Sequence, residues 1–481
     1  MIGFESPSST KLFYHFNLEK KVRPNHPLRK LKEILNLDFM YGLLKDRYGT
    51  NGNVSVPPPV IMKMMVLLFL YNVRSERELM ETIPERLDWL WFLGYDIDGE
   101  VPDHSVLSKA RKRWGEDIFK ELFNRVVRQA VDAGLVDGEK IFVDSSLVEA
   151  DASRNSVRSR KELDLDDKYR ELLKRLDERG EEGLGEHGKV NREHISATDP
   201  DATITKRKGE AKLYYQVHRG VDGKQEIITS CTVSTGAVNE AHRLPEVIAG
   251  HEAATGAEVK VAVADSKYGT KENFIGLKKQ GITTHLKNLA QSSGKRGAIF
   301  GKERFVYDPE RDVFICPQGN ELRKRSSNAA RNWTEYKASK SACRECPLRS
   351  HCTRDRNGRT VKKEPDEEYL SAAREDAGSE MAMADLKTRQ HLMERSFAIG
   401  KRYGYKRARW RGTWRVSIQQ LLVAVVQNLK KIARHGTDGP MAETRPLPQS
   451  TMSCTVAAKF KTLMAALCYF ITSREAPCYT V

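Results

Sequence analysis

Hydrophobic residues recur at helical spacing through the first part of this chain. A continuous apolar run follows the prolines at 57–59 and predicts a buried helix at 60–71. Ser75 with Glu78 marks the start of the next helix, because these two side chains can cap the free N–H groups of a first turn. We therefore predict an all-α domain over residues 20–135. The first residues of this domain that follow helical spacing are Leu28, Leu31, Ile34, Leu35 and Phe39.

The hydrophobic pattern changes at about residue 140 to short apolar runs that are typical of strands. Asp222-Gly223 separates two of these runs and favours a tight hairpin turn. The pattern predicts an α/β fold with a mixed sheet over 138–288, completed by helices at 380–434. The predicted strands cover 141–144, 213–218, 226–233, 259–265 and 282–286, and the helices between them cover 240–252 and 271–280.

Three further segments interrupt or follow this predicted core. Residues 155–210 are mostly charged and include an amphipathic helix at 160–179, so we expect an excursion from the core. Residues 289–379 form an insertion that carries cysteines. Residues 435–481 begin with the Gly/Pro/Thr/Ser-rich composition of a linker and end in a tail without a clear role.

An excess of basic residues indicates the kind of partner. The 481 residues include 81 Lys+Arg against 65 Asp+Glu, a formal net charge of +16. This balance favours a polyanion, most commonly nucleic acid, although solubility alone can account for a basic surface. The longest apolar run contains Lys63 and is shorter than the roughly 20 residues of a membrane span. With no apolar signal core at the N-terminus either, we expect a cytoplasmic protein without a membrane partner.

The basic residues are densest in the segment 391–415, where eight Lys and Arg stand against one acid, Glu394. Aromatic residues alternate with them, and Gly404 and Gly412 interrupt the helical spacing. A lone carboxylate there indicates a role beside bound phosphates. The alternative is a solvated helix whose Glu pairs with a neighbouring arginine. The candidate phosphate contacts are Lys401, Arg402, Lys406, Arg407, Arg409 and Arg411.

Two aspartates stand where predicted strands end, Asp144 after 141–143 and Asp265 after 259–264. Carboxylates at strand ends of an open mixed sheet gather at one edge, where ligands usually bind. A buried strand rarely carries an Asp without a partner or a metal. Either aspartate alone could instead cap a helix or form a turn. Together with Glu394 they are the candidate catalytic, metal-binding carboxylates.

Two Asp and one Glu suit a pair of Mg²⁺ or Mn²⁺ ions. Phosphodiesters resist attack because the nucleophile meets an anion. Two such ions about 4 Å apart can activate the attacking oxygen and neutralise the leaving oxygen. Hard divalent ions prefer oxygen ligands, which carboxylates supply.

Four of the eight cysteines lie close together in the insertion, and two of them form a C-x-x-C pair. Their number and spacing fit a tetrahedral four-thiolate Zn²⁺ site that stabilises a small module. His351 could replace one ligand, and the alternative is a loop with reduced, unliganded thiols. Without a secretory signal, a disulfide framework is disfavoured. The candidate ligands are Cys316, Cys343, Cys346 and Cys352.

A short basic helix is predicted at 105–114, with Asp103 as its N-cap. Two successive helices joined by a turn could form a DNA-binding helix-turn-helix. An ordinary helical bundle gives the same pattern, so both interpretations stay open.

With these residues placed, the chain from about 37 to about 431 resembles the DDE-type transposases of bacterial insertion sequences. The helical N-terminal part resembles that of the InsH type. Together the motifs that carry the resemblance are specific, whereas any one alone would be weak. They are PDHSVLSKARKRW (102–114), FVDSSLVEADAS (142–153), TDPDA (198–202), VAVADSKYGT (261–270) and MERSFAIGKRYGYKRARWRG (393–412).

The resemblance implies a ribonuclease-H-like catalytic core behind a helical DNA-binding domain. It implies that Asp144, Asp265 and Glu394 are the acidic triad, and that the partner is double-stranded DNA, bound by a homodimer. A related subgroup carries a Tyr, Arg, Glu and Lys signature. Lys401 keeps the expected distance from Glu394, whereas Gln390 stands at the Arg position and Arg389, the candidate phosphate contact, lies one residue before it.

The function implied is metal-dependent strand cleavage and strand transfer at the ends of an insertion sequence. Two alternatives stay open. One is a metal-dependent nuclease that cuts without joining, and the other is a DNA-binding protein derived from a transposase that no longer catalyses a reaction.

Overall fold

The computed structural model describes residues 16–49, 54–165, 169, 171, 173–174, 188–207, 209–287, 299–328 and 333–435. Most of the helix predicted at 160–179, and the tail after 435, therefore lie outside the described residues. Within those residues, none of the helices has the length and hydropathy that crossing a membrane requires.

In the described part of the chain, seven α-helices precede the first strand, which confirms a helical N-terminal region. Ser75 begins one of them as predicted, because its hydroxyl accepts a hydrogen bond from Glu78 N at 3.1 Å. The helix predicted from the apolar run at 60–71 is buried on nearly all sides. The helices are α1 (Leu18–Lys21), α2 (Pro27–Ile34), α3 (Phe39–Leu44), α4 (Pro58–Leu70), α5 (Glu76–Thr82), α6 (Leu87–Leu93) and α7 (Ser105–Asp132).

Helix α7 is interrupted at Gly115, whose φ of 70° lies in the region that favours glycine. The predicted basic helix at 105–114 therefore ends there. Arg111 points inward from this helix, pairs with Glu76 and lies 3.9 Å from the centre of the Trp410 ring. Lys112 and Arg113 are exposed.

The central sheet is mixed, as predicted. Strands β5 and β7 flank β1, antiparallel and parallel to it respectively, and the order of the main path is β4-β5-β1-β7-β8 with β6 also paired to β5. Two further strands form a separate pair, β2-β3. The strands are β1 (Lys140–Glu149), β2 (Val157–Ser159), β3 (His194–Ser196), β4 (Thr203–Arg207), β5 (Glu210–Asp222), β6 (Ile228–Thr235), β7 (Val261–Ala264) and β8 (Thr283–Leu286); the helices among them are α8 (Arg160–Asp164), α9 (Gly188–Glu193), α10 (Leu244–Thr255) and α11 (Lys271–Lys279).

The prediction that Asp144 ends the first strand is wrong, because β1 continues for five residues beyond it. The longer strand β5 pairs with β1 from Ile141 to Glu149 and holds the polar second half in the sheet. The apolar run in the sequence marked only the half of β1 that is buried on both faces.

The insertion forms a second, five-stranded sheet with its own small core of Phe305, Phe314, Leu322, Tyr336 and Val361. The last helix within 289–379 instead packs on the central sheet, where Asp376 accepts a hydrogen bond from Thr284 N at 2.9 Å. The elements are β9 (Val306–Asp308), β10 (Val313–Ile315), β11 (Glu321–Asn328), β12 (Trp333–Ala338), α12 (Lys340–Arg344), α13 (Arg349–Cys352), β13 (Thr360–Lys363) and α14 (Glu367–Gly378).

Two long helices complete the core, α15 (Glu380–Lys401) and α16 (Thr413–His435). Helix α16 is buried from Val416 to Leu429 and packs between α7 and strand β6. Its Asn428 side chain accepts from Ile228 N at 2.9 Å and donates to Ile228 O at 2.7 Å. The helix thereby joins the N-terminal helices to the central sheet.

The TDPDA motif holds the start of α16. The Asp199 carboxylate accepts hydrogen bonds from Gly412 N at 3.0 Å and from the Tyr215 hydroxyl at 2.6 Å, and Asp201 accepts from Thr413 N at 2.8 Å. Carboxylates are stabilising at a helix N-terminus, where the first N–H groups lack partners within the helix. This motif therefore has a structural role.

Candidate active site

The pairing of β1 with β7 places Asp144 and Asp265 next to each other. Phe142 lies opposite Val263 in the parallel register, so the residues two positions further along, Asp144 and Asp265, are neighbours at the point where β7 ends. The Asp265 carboxylate also accepts a hydrogen bond from Lys267 N at 3.0 Å and so stabilises the turn that follows β7. Asp265 therefore follows a strand end, as predicted, and also takes part in a turn.

Asp144 lies on the face of the sheet that α15 covers. Ile141 and Val143 belong to the apolar cluster beneath α10, and alternate residues of a strand point to opposite faces. Arg219, opposite Asp144 in β5, donates to the carbonyl of Ser396 on α15 at 3.2 Å. Asp144 therefore faces the helix that carries Arg389 and Glu394.

Arg389 pairs with Asp144, with 2.9 Å between Nη1 and Oδ2. Both side chains are mostly buried, with exposed fractions of 13% and 24%. Burial raises the pKa of the Asp144 carboxyl to about 6, the Arg389 charge opposes that rise, and the charges of Asp265 and Glu240 add to it.

Glu394 lies on the exposed side of α15, where Gln390 Nε2 donates to Oε1 at 3.4 Å. Five residues of helix separate Glu394 from Arg389, which is about 140° around the axis and about 7.5 Å along it. The structure thus brings Asp144 and Asp265 together with Arg389, and Glu394 lies on another side of the helix. Across the residues the structure describes, no group of three His, Cys, Asp or Glu side chains has a geometry that could hold a metal ion.

A buried acid that the sequence reasoning missed, Glu240, completes the charged group. It begins a 3₁₀ turn, Glu240–Arg243, just before α10, and its side chain is 7% exposed. Its carboxylate pairs with Lys267 at 2.5 Å and accepts a hydrogen bond from the Ser145 hydroxyl. In the sequence Glu240 appears as an ordinary acid at a helix start, so the pattern gave no signal of its burial.

One edge of β1 is open beside this group. Strand β7 pairs with β1 only as far as Phe142, and no other described residue pairs with that edge until Glu149. There, Glu149 N donates to Lys406 O at 3.2 Å and Ala408 N donates to Glu149 O at 2.8 Å. Glu149 is five residues beyond Asp144, about 17 Å along the strand. The open edge therefore runs from the two aspartates to the basic residues.

We call residues 402–412, between α15 and α16, the basic loop. Lys401, which precedes it, is exposed, and so are Arg402, Lys406, Arg407 and Arg411. Gln419 of α16 is buried and fixes the loop backbone, because its Nε2 donates to Gly404 O at 2.9 Å and to Arg407 O at 2.8 Å. The loop therefore presents several cations from a fixed backbone.

Arg409 and Trp410 differ from the other residues of the basic loop. The Arg409 side chain points inward and donates hydrogen bonds to Asn72 Oδ1 at 2.7 Å and to the carbonyl of Val73. Trp410 packs edge-on against Phe69, with 5.9 Å between ring centres. These two side chains attach the loop to the N-terminal helices, so Arg409 is not expected to contact a DNA phosphate.

The four cysteines of the insertion gather around its small core. Cys352 is buried, and Cys316 and Cys343 pack against the same cluster. Burial raises the pKa of the Cys352 thiol, and the nearby thiols of Cys343, Cys316 and Cys346 add to that rise. All four are free cysteines, so the fold brings the predicted set into one region without a disulfide.

Two family models match the chain. One, described as Transposase domain (DUF772), matches residues 16–113, and the other, described as Transposase DDE domain, matches residues 315–433. The second match includes the four cysteines, Glu394 and the basic loop, whereas Asp144 and Asp265 lie outside both. No curated protein matches the chain.

Both matches are to transposase domains, so the chain is a transposase. Its DDE domain makes it more particularly a DDE-type transposase of the insertion-sequence kind, with a ribonuclease-H-like core. The mixed sheet and the helical N-terminal region confirm the predicted fold class. The InsH-type likeness of the N-terminal helices stays a prediction.

The Arg389–Asp144 pair predicts a pH-dependent loss of stability in the variant Arg389→Met. A carboxyl whose pKa is raised on folding opposes folding most when it is charged, at a pH above about 6. Removing its cation should therefore cost on the order of 2 kcal/mol of unfolding free energy at pH 8 and much less at pH 5. Chemical unfolding of metal-free protein at the two pH values measures this.

The double variant Asp144→Asn/Arg389→Met is the matched control. An amide at residue 144 needs no cation, so most of the pH-dependent part of the loss should disappear. An equal loss at pH 5 and pH 8 in the single variant would show that Arg389 contributes by packing and not by its charge.

Proposed function

We propose that this transposase cleaves DNA strands at the ends of an insertion sequence and joins them to target DNA, in a reaction that requires a divalent metal. The observation that carries the proposal is the parallel register that places Asp144 beside Asp265 at the open edge of β1. The family and the exposed basic residues at the other end of that edge support it.

The donor atoms suit Mg²⁺ or Mn²⁺. Asp144 and Asp265 offer carboxylate oxygens on adjacent strand positions, and no sulfur or imidazole ligand is required. Glu394 is the third ligand in this proposal. When bound, such ions activate the attacking oxygen and stabilise charge on the leaving oxygen.

The pairing of Asp144 with Arg389 describes a resting state of this site. In that state the guanidinium compensates mainly the burial of the Asp144 carboxylate, and also its closeness to Asp265. If a divalent cation were held by Asp144 and Asp265, Arg389 would be free to bind a DNA phosphate. Because Arg389 and Glu394 lie about 140° apart around α15, bringing Glu394 to the aspartates would require that helix to turn.

The reaction itself is two phosphoryl transfers. In cleavage, a water oxygen attacks the phosphorus at the element end, the bond from phosphorus to the 3′ oxygen breaks, and that oxygen takes up a proton. In joining, the 3′ hydroxyl loses its proton and attacks a target phosphodiester, and a target 3′ oxygen leaves. Both steps need the scissile phosphate positioned at the aspartates, and the exposed cations near Glu149, about 17 Å further along β1, would hold the flanking DNA backbone. Since two ends must be joined together, we expect two copies of the chain on the DNA.

Strand cleavage is the first test. Linear duplexes carrying the DNA that flanks each end of the coding sequence are incubated with Mg²⁺ and a target plasmid. Defined nicks and joined products are expected with the parent protein. Asp144→Asn, Asp265→Asn and Glu394→Gln should each reduce both products to background while binding the duplex in EDTA with unchanged affinity.

Glu258→Gln is the matched control, because Glu258 is exposed at the other end of β7. It should cut and join like the parent. Nicks without joined products would support the nuclease alternative. Binding without either product in the parent protein would support the non-catalytic alternative. Full activity of Asp265→Asn would contradict the proposed site.

A salt titration tests the proposed phosphate contacts. Each phosphate contact that is lost reduces the number of counterions released on DNA binding. Lys401→Ala and Arg411→Ala should therefore each reduce the slope of log affinity against log salt by about one unit. Lys260→Ala is the control, since Lys260 is an exposed cation just before β7, at the far end from Asp265. If both variants keep the salt dependence of the parent protein, these residues form a solvated surface and do not contact phosphates.

A structural Zn²⁺ on Cys316, Cys343, Cys346 and Cys352 also belongs to the proposal. The presence of four free thiols around the small core of the insertion supports it, and zinc binding would have to draw them closer, because no three described side chains of this kind lie in metal-binding geometry. A closed set of four thiolates would leave no position for water or substrate, so the ion would stabilise the module and take no part in the reaction.

Metal analysis of the purified chain should therefore find one Zn²⁺, and Cys346→Ser should lose it and lower the unfolding temperature. Cys231→Ala is the control, because Cys231 is buried in β6, away from the insertion. If the parent protein contains no zinc, or if Cys346→Ser keeps the zinc content of the parent, the four thiols only contribute to packing.

A further inference from the structure

We propose that a cleft between the N-terminal helices and the basic loop binds a sugar-phosphate segment of one DNA strand. We call it the α5 cleft, because the first turn of α5 forms part of its wall. The proposal rests on the proposed function, from which it takes DNA as the partner, and adds a contact on the N-terminal helices. The lining residues include Leu68, Arg74, Arg77, Arg409 and Trp410.

The α5 cleft has the size and the surface that a sugar-phosphate ligand needs. Its volume is about 350 Å³, roughly ten times the share of one water molecule in the liquid. The buried Leu68 and the partly buried Trp410 ring offer apolar surface to a sugar, and Arg74 and Arg77 are exposed cations on the same cleft. Apolar surface combined with a few polar groups that converge on it is typical of a ligand site.

The two arginines beside the start of α5 are free for an anion. Within the described residues, Arg77 forms no hydrogen bond or ion pair. Arg74 Nε lies 3.6 Å from a Glu78 oxygen, but the Arg74 side chain is 90% exposed, so this pair holds it weakly. Glu76 also lines the cleft, and its carboxylate is already paired with the buried Arg111. Arg74 and Arg77 are therefore available to a phosphate.

Arg409 gives a second indication that an anion is missing. Its partly buried guanidinium donates to two neutral oxygens, Asn72 Oδ1 at 2.7 Å and the carbonyl of Val73. Burial lowers the pKa of Arg409, and the more distant charges of Glu76 and Glu78 oppose that change. Removing a charged group from water is costly when no opposite charge pairs with it. A phosphate in the adjoining cleft would compensate the Arg409 charge through space and leave both of its hydrogen bonds in place.

The position of the α5 cleft favours a DNA strand over a free anion. Arg409 and Trp410 line the cleft, and the next residue of the basic loop, Arg411, is exposed and is one of the proposed phosphate contacts. Two residues of chain span at most about 7 Å. Phosphates follow one another at about 3.4 Å of helix axis along each strand of DNA. A strand bound at Arg411 therefore reaches the cleft within a few nucleotides.

Duplex binding in EDTA tests the cleft without any turnover. The duplexes are those that carry the DNA flanking each end of the coding sequence. Arg74→Ala and Arg77→Ala each remove one exposed cation, so the unfolding temperature should change little. Each variant should reduce the slope of log affinity against log salt by about one unit, and the double variant should reduce it by about two.

Lys120→Ala is the matched control. Lys120 is an exposed cation of α7, and it lies beyond the break at Gly115, sixteen residues after His104, which lines the cleft. Its loss should leave the slope unchanged. Lys112→Ala reports on the exposed side of the short basic helix, which a helix-turn-helix would use. A reduced slope in Lys112→Ala with parent slopes in both cleft variants would overturn the inference in favour of that helix.

Replacing single phosphates of the duplex by neutral methylphosphonates identifies the contact itself. In the parent protein, replacement of the phosphate that lies in the cleft should weaken binding. In Arg74→Ala/Arg77→Ala the same replacement should have little further effect, because the two changes remove one interaction. Replacement at phosphates outside the cleft should weaken both proteins equally.

The outcomes separate this inference from the proposed function. If Lys401→Ala and Arg411→Ala reduce the slope and the double cleft variant keeps it, the cleft is a solvent-filled gap and the proposed function stands. An equal loss in Lys120→Ala, or the absence of any phosphate whose effect disappears in the double variant, would reduce the effect to general charge and overturn the inference. A parent protein that binds no duplex overturns both.

Discussion

The burial of the Asp144 carboxylate next to Asp265 is the constraint on which the rest of this site depends. The β1–β7 register places the two carboxylates on adjacent strands, and burial makes the charge of Asp144 more costly. Arg389 of α15 compensates this charge, with 2.9 Å between its Nη1 and Asp144 Oδ2. A site that needs a cation in its resting state is suited to exchange that cation for a metal ion, and the helix that supplies Arg389 also carries Glu394.

Helix α16 connects this site to the DNA-binding surface that we propose. Its buried Gln419 fixes the backbone of the basic loop, and Asn428 fixes β6. The inward side chains of Arg409 and Trp410 attach the same loop to the N-terminal helices. A DNA segment held by those helices and by the loop would therefore be positioned relative to the open edge of β1, with little freedom between the parts.

The sequence predicted the order of most elements, because apolar periodicity and the Asp222-Gly223 turn are local signals, but it placed residues 155–210 outside the core, whereas β4 within them joins the central sheet. It also indicated Asp144 and Asp265, since carboxylates beside apolar strands are unusual. It placed Asp144 at a strand end because only half of β1 is apolar, and the pairing with β5 that extends the strand is not local. The burial of Glu240 and the inward turn of Arg409 depend on partners far along the chain, so no local pattern could reveal them.

The most direct test of the proposed site is a crystal structure of the full chain with Mn²⁺ and a duplex that ends at the element terminus. We expect an anomalous scattering peak within ligand distance, about 2–2.5 Å, of both Asp144 and Asp265, with Arg389 moved from Asp144 to a phosphate. A complex in which Arg389 still pairs with Asp144, and in which Mn²⁺ binds away from both aspartates, would contradict it.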